Sequence, residues 1–134
     1  MGKTYLTNQI NTSPTISEKA GAAIPDVRGL CVKYDNNGNV VAASTAGEVV
    51  VGVGIITNSE NITIGSDVDI QVKEIGIAKA GGTIAKGAEV MTDATGKVVT
   101  ATDGKFVIGT ALEAAVSGQL FYIQISKYYK PTAS

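Results

Sequence analysis

The sequence predicts a mainly β protein: a small barrel or sandwich made of two duplicated, interlocked β units, preceded by an extended N-terminal arm. Three observations carry this. Short apolar runs rich in Val, Ile and Thr recur along the chain, and no window keeps a 3.6-residue apolar period. Asp35-Asn36-Asn37-Gly38 and Asp93-Ala94-Thr95-Gly96 sit between such runs, with glycine placed to supply the positive φ of a tight turn. The second half of the chain also echoes the first.

In chain order, residues 1–19 lie outside the echo. Thr, Asn and Ser dominate there, and Tyr5, Leu6, Ile10 and Ile16 are spaced irregularly around Pro14. Such a stretch cannot hold a fold alone. It reads either as a frayed terminus or as an arm whose backbone and few apolar anchors dock on another protein. Ser17 and Glu18 resemble a weak start signal, so a short helical or turn-like piece is expected near 15–21. Strands follow at 29–34, 40–44, 49–57 and 67–78, then at 88–92, 98–100, 106–112 and 119–126. Cys31 falls in the first of these and reads as a small half-buried thiol. Gly52 and Gly54 interrupt a valine-rich strand; they lack the third glycine and the helix of a dinucleotide site and instead mark a bulge or a close backbone approach. Residues 127–134 form a tail in which Pro131 stops further pairing.

The echo runs through residues 20–72 and 80–125. Asp35 to Val41 matches Asp93 to Val99 at a constant displacement of 58 positions (35 to 93). Gly47 to Gly52 then falls on Gly104 to Gly109, and Ile70-Gln71-Val72 on Ile123-Gln124-Ile125. Each copy holds about fifty residues, too few to bury a sufficient core without staples, so the copies are expected to share one body over residues 20–126.

Composition removes several function classes. Net charge is −1 with both signs interspersed, where a nucleic-acid surface needs a basic stripe. The longest apolar run, Val49 to Ile56, is too short to span a bilayer, and no secretory leader is expected. Histidine is absent and cysteine occurs once, which removes most zinc sites, the His-based nucleophile arrangements and any internal disulfide. Asp67 and Asp69 share a strand face, but a hard cation needs six or more oxygens, so this reads as a solvated face. Neither an enzyme nor a cofactor or metal protein is expected.

The copies differ in an informative place. Asp67, Asp69 and Gln71 alternate with Val68, Ile70 and Val72, giving one wet and one dry face. The matching positions are Leu120, Tyr122 and Gln124 against Phe121, Ile123 and Ile125, apolar on both sides over the first half. Leu120 and Tyr122 therefore need a cover, from a neighbouring segment of the chain or from another subunit, and the shortage of spare segments makes the subunit the expectation. The expectation is a homo-oligomer, a trimer.

The succession AGGTIAKGAEVMTDATGKVVTATDGKFVIGTALEAAVSGQLFYIQI, and above all Gly109-Thr110-Ala111-Leu112-Glu113-Ala114-Ala115 followed by Gly118 and the last strand, resembles the capsid cement or head decoration proteins of tailed bacteriophages. The similarity covers residues 20–126, in both copies. It implies a small β-barrel that binds the outside of an assembled head, commonly as a trimer, and stiffens it. The implied partners are the major capsid protein and copies of the chain itself, with no nucleic acid and no membrane. The implied location is the outer capsid surface, after assembly in the host cytoplasm. Families of this kind carry no catalytic residues and often reach the shell through an N-terminal arm, here Thr4, Tyr5, Leu6, Ile10 and Ile16. Related head-fibre proteins continue from a similar base into a stalk; the end at Ser134 favours cement. Two other readings stay in view. A biotinyl or lipoyl carrier would need a lysine at a hairpin tip between the copies, flanked by Met or Asp; Lys79 sits near the junction without those flanks. A nucleotide hydrolase would need convergent carboxylates and phosphate-binding groups around the one arginine, Arg28.

Overall fold

The structure, a computed structural model, describes residues 13–132. Among the described residues ten strands make two five-stranded antiparallel sheets. The first unit contains β1 (Thr15–Lys19), β2 (Cys31–Tyr34), β3 (Val40–Ala42), β4 (Gly52–Gly54) and β5 (Asp67–Gln71). The second contains β6 (Glu74–Lys79), β7 (Glu89–Thr92), β8 (Val98–Thr100), β9 (Phe106–Ala111) and β10 (Leu120–Tyr129). The sheet orders are β1-β5-β4-β2-β3 and β6-β10-β9-β7-β8. Strand for strand this is the same path, so the molecule is a β body of two similar units.

Small details repeat with the path. Asp35 Oδ1 accepts the backbone N–H groups of Asn37 and Asn39 at 2.9 and 3.0 Å, and Asp93 Oδ1 those of Thr95 and Lys97 at 2.8 and 3.1 Å. These carboxylates hold the β2–β3 and β7–β8 turns in the shape that Gly38 and Gly96 complete at φ of 80° and 85°. Gly52 and Gly109 occupy sister positions on β4 and β9. A Cβ there would lie 2.0 Å from the Gln71 carbonyl oxygen and 2.1 Å from that of Gln124, so close backbone approach, not a bulge, requires these glycines.

Several expected boundaries move. Residues 15–19 are neither helical nor free: β1 pairs with β5 along its length, and Ile16 packs half-buried on the first core. Pairing with a partner about fifty residues away decides this, and no local signal encodes it. The 67–78 run is two strands, broken at Val72 and Lys73, with Glu74 at a φ of 68°. The 49–57 run keeps ladder geometry only over Gly52–Gly54. At the other end β10 continues to Tyr129, through an irregularity between Ile125 and Tyr128. Cys31 is fully buried, not half-buried.

The units share their interior. One cluster is the first unit's own and includes Ile24, Val27, Val32, Val40, Val68 and Ile70. A second joins Cys31, Ala43, Val50 and Val53 of the first unit to Ala78, Ile84, Val90, Ile108, Phe121 and Ile123 of the second, and a small third one gathers Met91, Ala101 and Val107. Backbone bonds stitch the seam: Lys79 N–H to Gly29 C=O at 2.9 Å, Cys31 N–H to Gly96 C=O at 2.7 Å and Gly47 N–H to Thr92 C=O at 2.9 Å. Lys127 crosses it too, its ammonium donating to the Val51 carbonyl at 2.7 Å. Its burial there lowers the Lys127 pKa.

Candidate functional site

The outward faces of the two sheets have the same lattice and opposite chemistry. On the first unit, β1 and β5 set Thr15 opposite Gln71, Ser17 opposite Asp69 and Lys19 opposite Asp67. Ser17 donates to the Asp69 carboxylate, and Lys19 pairs with Asp67 at 2.8 Å. On the second unit, β6 and β10 set Ile75 opposite Gln124, Ile77 opposite Tyr122 and Lys79 opposite Leu120. A hydroxyl–carboxylate pair in one unit is thus an Ile–Tyr pair in the other. The path tolerates a polar face, so folding does not demand the apolar one.

Ile75, Leu120 and Tyr122 are 53%, 49% and 52% exposed. Ile56, from the long β4–β5 connection, lies alongside them at 45%. A shallow groove of about 140 Å³ runs between Ile55 and Ile56 on one side and Ile75, Ile77 and Tyr122 on the other, with Gln71 at one wall. It continues as a second hollow of about 180 Å³ over Ile56, Ile77, Leu120 and Tyr122. This contiguous apolar strip, crossing from one unit to the other, is the candidate interaction surface.

The rim is polar and internally paired. Lys79 bonds to Asp26, and Arg28 pairs with Glu60 at 3.3 Å. The Lys79 ammonium beside Asp26 holds that carboxyl below the usual range. Glu113 accepts the Tyr122 N–H at 3.0 Å, finishing a strand position with a side chain. Leu120 lies over Gly29, where a Cβ would come within 2.8 Å of its Cδ2. A glycine of the first unit therefore lets the second unit's apolar face seat against it.

Other candidates fare differently. The roomier hollow, about 360 Å³ around Asn58, Thr63, Ser66, Asp67 and Asp69, is polar, and its carboxylates are engaged by Lys19 and Ser17. Among the described residues no group of three or more His, Cys, Asp or Glu is placed to hold a metal. No helix of the described residues is long and apolar enough to cross a membrane. Lys79 ends β6 with a largely covered side chain, not at a hairpin tip as a carrier would need. Leu120 and Tyr122 lie together on the outward face of the second sheet, half exposed. Ile56, Ile75 and Ile77 were missed, although TISEK of β1 set against EIGIAK of β6 carries the same polar-to-apolar change. Thr4, Tyr5, Leu6 and Ile10 lie outside the described residues.

The family of phage cement proteins matches residues 49–124, more than half of the chain. This chain belongs to the phage cement protein family. The cement protein is accordingly a structural component of a phage capsid. Its fold is similar to the crystal structure of the head fiber gp8.5 N base in bacteriophage phi29, at 22% identity and a TM-score of 0.64, over 84% of this chain and 92% of that one. Comparison with curated proteins finds no match by sequence.

Proposed function

We propose that this cement protein decorates the outer surface of a phage head as a trimer. In this reading it meets the major capsid protein through Thr4, Tyr5, Leu6 and Ile10 and neighbouring copies of itself through Leu120, Tyr122 and the face around them. One observation carries the docking role: two sheets of identical path present a paired polar lattice and an apolar one at matching positions. The body is residues 20–126 with β1 added, and residues before β1 form the arm.

Magnitudes favour assembly on a shell over assembly in dilute solution. Ile56, Ile75, Leu120 and Tyr122 are each about half exposed. Burying the remaining half of each contributes ~1 kcal/mol, so one face supplies about 4 kcal/mol. Association costs about 4–15 kcal/mol, so a lone face is weak. Arms and faces held on one lattice act at high effective concentration, which raises the summed hold far above each contact. The role is structural, not catalytic: Cys31 is sealed in the core and Arg28 is committed to Glu60.

Purified protein mixed with undecorated heads should add density outside the shell and raise its resistance to heat. Leu120→Asp with Tyr122→Asp should keep the monomer folded and strip most of that density. Full decoration by the double variant would remove the face from the contact.

A further inference from the structure

The edge of β6 that faces away from β10 is open for pairing. Hydrogen-bonding direction alternates along an antiparallel strand. Tyr122 turns its C=O to the Leu112 N–H at 3.0 Å and its N–H to Glu113, both away from β6. Its cross-strand partner Ile77 therefore points its own N–H and C=O away from β10, and Ile75 and Lys79 do the same. Lys79 bears this out, since its N–H reaches the Gly29 C=O at 2.9 Å. Among the described residues the main-chain groups of Ile75 and Ile77 have no such partner. The groove of about 140 Å³ lies along them: Gly76, which has only main-chain atoms to offer, forms part of its wall between Ile75 and Ile77.

We propose that this edge takes up an extended, uncharged segment of the shell subunit, which adds one strand to the second sheet beside β6. The inference rests on the decoration reading above for the source of the segment and adds the mode of recognition. Main-chain hydrogen bonds to Ile75 and Ile77 hold the segment, and alternate apolar side chains enter the groove against Ile55, Ile56 and Tyr122.

Several observations select this occupant. The edge already holds one residue of the first unit, Gly29, and the open positions continue from it toward Glu74. The sister edge gives the contrast. β1 turns the main chain of Thr15 and Ser17 outward in the same way, but beside the charges of Lys19, Asp67 and Asp69, which keep that edge wet. No charged side chain lines the β6 groove, so a charged segment would lose its water there without a counter-ion. A second copy fits poorly. Two β6 strands set antiparallel with Ile75 opposite Ile77 bring Lys73 of one up to Lys79 of the other, like charges on one face, while Gly29 already holds the Lys79 N–H.

The test follows amide exchange by mass spectrometry in the full chain, free and bound to undecorated heads. Residues 74–79 should exchange about tenfold more slowly on heads. Unchanged exchange there on decorated heads overturns the proposal; the same protection in concentrated protein without heads assigns the edge to a second copy and overturns it too. Ile77→Pro removes one outward N–H and leaves the β10 ladder its bonds, so the variant should stay folded and bind heads about tenfold more weakly, whereas Ser17→Pro on the sister edge should bind as the wild type does. Equal loss in both overturns the proposal. Should Ile77→Pro unfold, Ile75→Thr with Ile77→Ser gives β6 the residues of its sister strand and should show the same loss; full binding by that pair overturns the proposal. Heads that carry the wild-type chain while these results fail leave the decoration reading standing. Heads that never take it up overturn that reading and, with it, the source named here.

Discussion

Replacing Gly109 by alanine tests the claim that strand contact, not turn geometry, holds the second sheet to one registration. The added Cβ would sit 2.1 Å from the Gln124 carbonyl oxygen, 2.9 Å from its carbon and 3.1 Å from the Ile125 Cα. All three are backbone atoms of the paired strand, so no side chain can rotate away. β9 and β10 must part by about 1 Å, which degrades the ladder bonds on either side. Two such bonds are worth ~2 kcal/mol. Overpacking adds ~1–3 kcal/mol, and the stiffer unfolded chain returns about 0.5 kcal/mol. The expected cost is therefore about 3 kcal/mol, set against a total of about 5–15 kcal/mol for a chain of this kind. Thermal unfolding followed by far-UV circular dichroism should fall by roughly 10 °C. Gly52→Ala, with its clash at 2.0 Å against Gln71, should match it, because the shared core makes the units unfold together. Gly38→Ala is the control: φ is +80° with nothing within 4 Å, so only ~1 kcal/mol of backbone strain is expected. A Gly109→Ala protein as stable as the wild type, or two separated transitions, would refute the reasoning.

Three further outcomes are expected. Glu48 is desolvated, but its carboxylate accepts the Ser44 and Thr45 N–H groups and the Lys33 ammonium, and the net effect lowers its pKa below the ordinary 4.5. The stability it lends is complete above that value and drains away as pH falls through the lowered one; Glu48→Gln should lose this part of the acid dependence in urea titrations. Burial pushes the Cys31 thiol up to about 12, so a thiol reagent at pH 8 should label it only at the rate of global unfolding, and fast labelling of the native protein would contradict the shared core. Asp93→Ala removes an acceptor for two backbone N–H groups and should cost ~1–2 kcal/mol in chemical denaturation, with Asp35→Ala close behind.

What could be read from residues alone follows the range of the interaction concerned. The Asp-x-x-Gly turns were legible because carboxylate, amides and glycine all lie within five positions. Gly52 and Gly54 were legible as a close approach, though not which carbonyls approached. The break between β5 and β6 was not: neither glycine nor proline marks Val72-Lys73-Glu74, and the strands part because each is claimed by a different sheet. β1 was missed for the same reason, since among the described residues its strand partner is β5, about fifty residues away. Leu120 and Tyr122 emerged by setting one copy against the other, which uses the polar sister as a reference for what the fold needs. Ile75 and Ile77 escaped because the echo is clear only from Ala80 onward, the residue that directly follows the strand carrying them. Ile56 escaped because the β4–β5 connection has no equally long sister in the second unit.

The seam has a consequence for biosynthesis. Cys31, Val50 and Val53 are roofed by residues that leave the ribosome some seventy positions or more after them, among them Phe121 (53 to 121 is 68) and Ile123 (53 to 123 is 70). The amino half must wait, greasy side open, until the final strand slides in beside β6 and β9. A chain released early would therefore lack both its roof and the Tyr122 strip, leaving open the apolar surface on which incomplete chains aggregate.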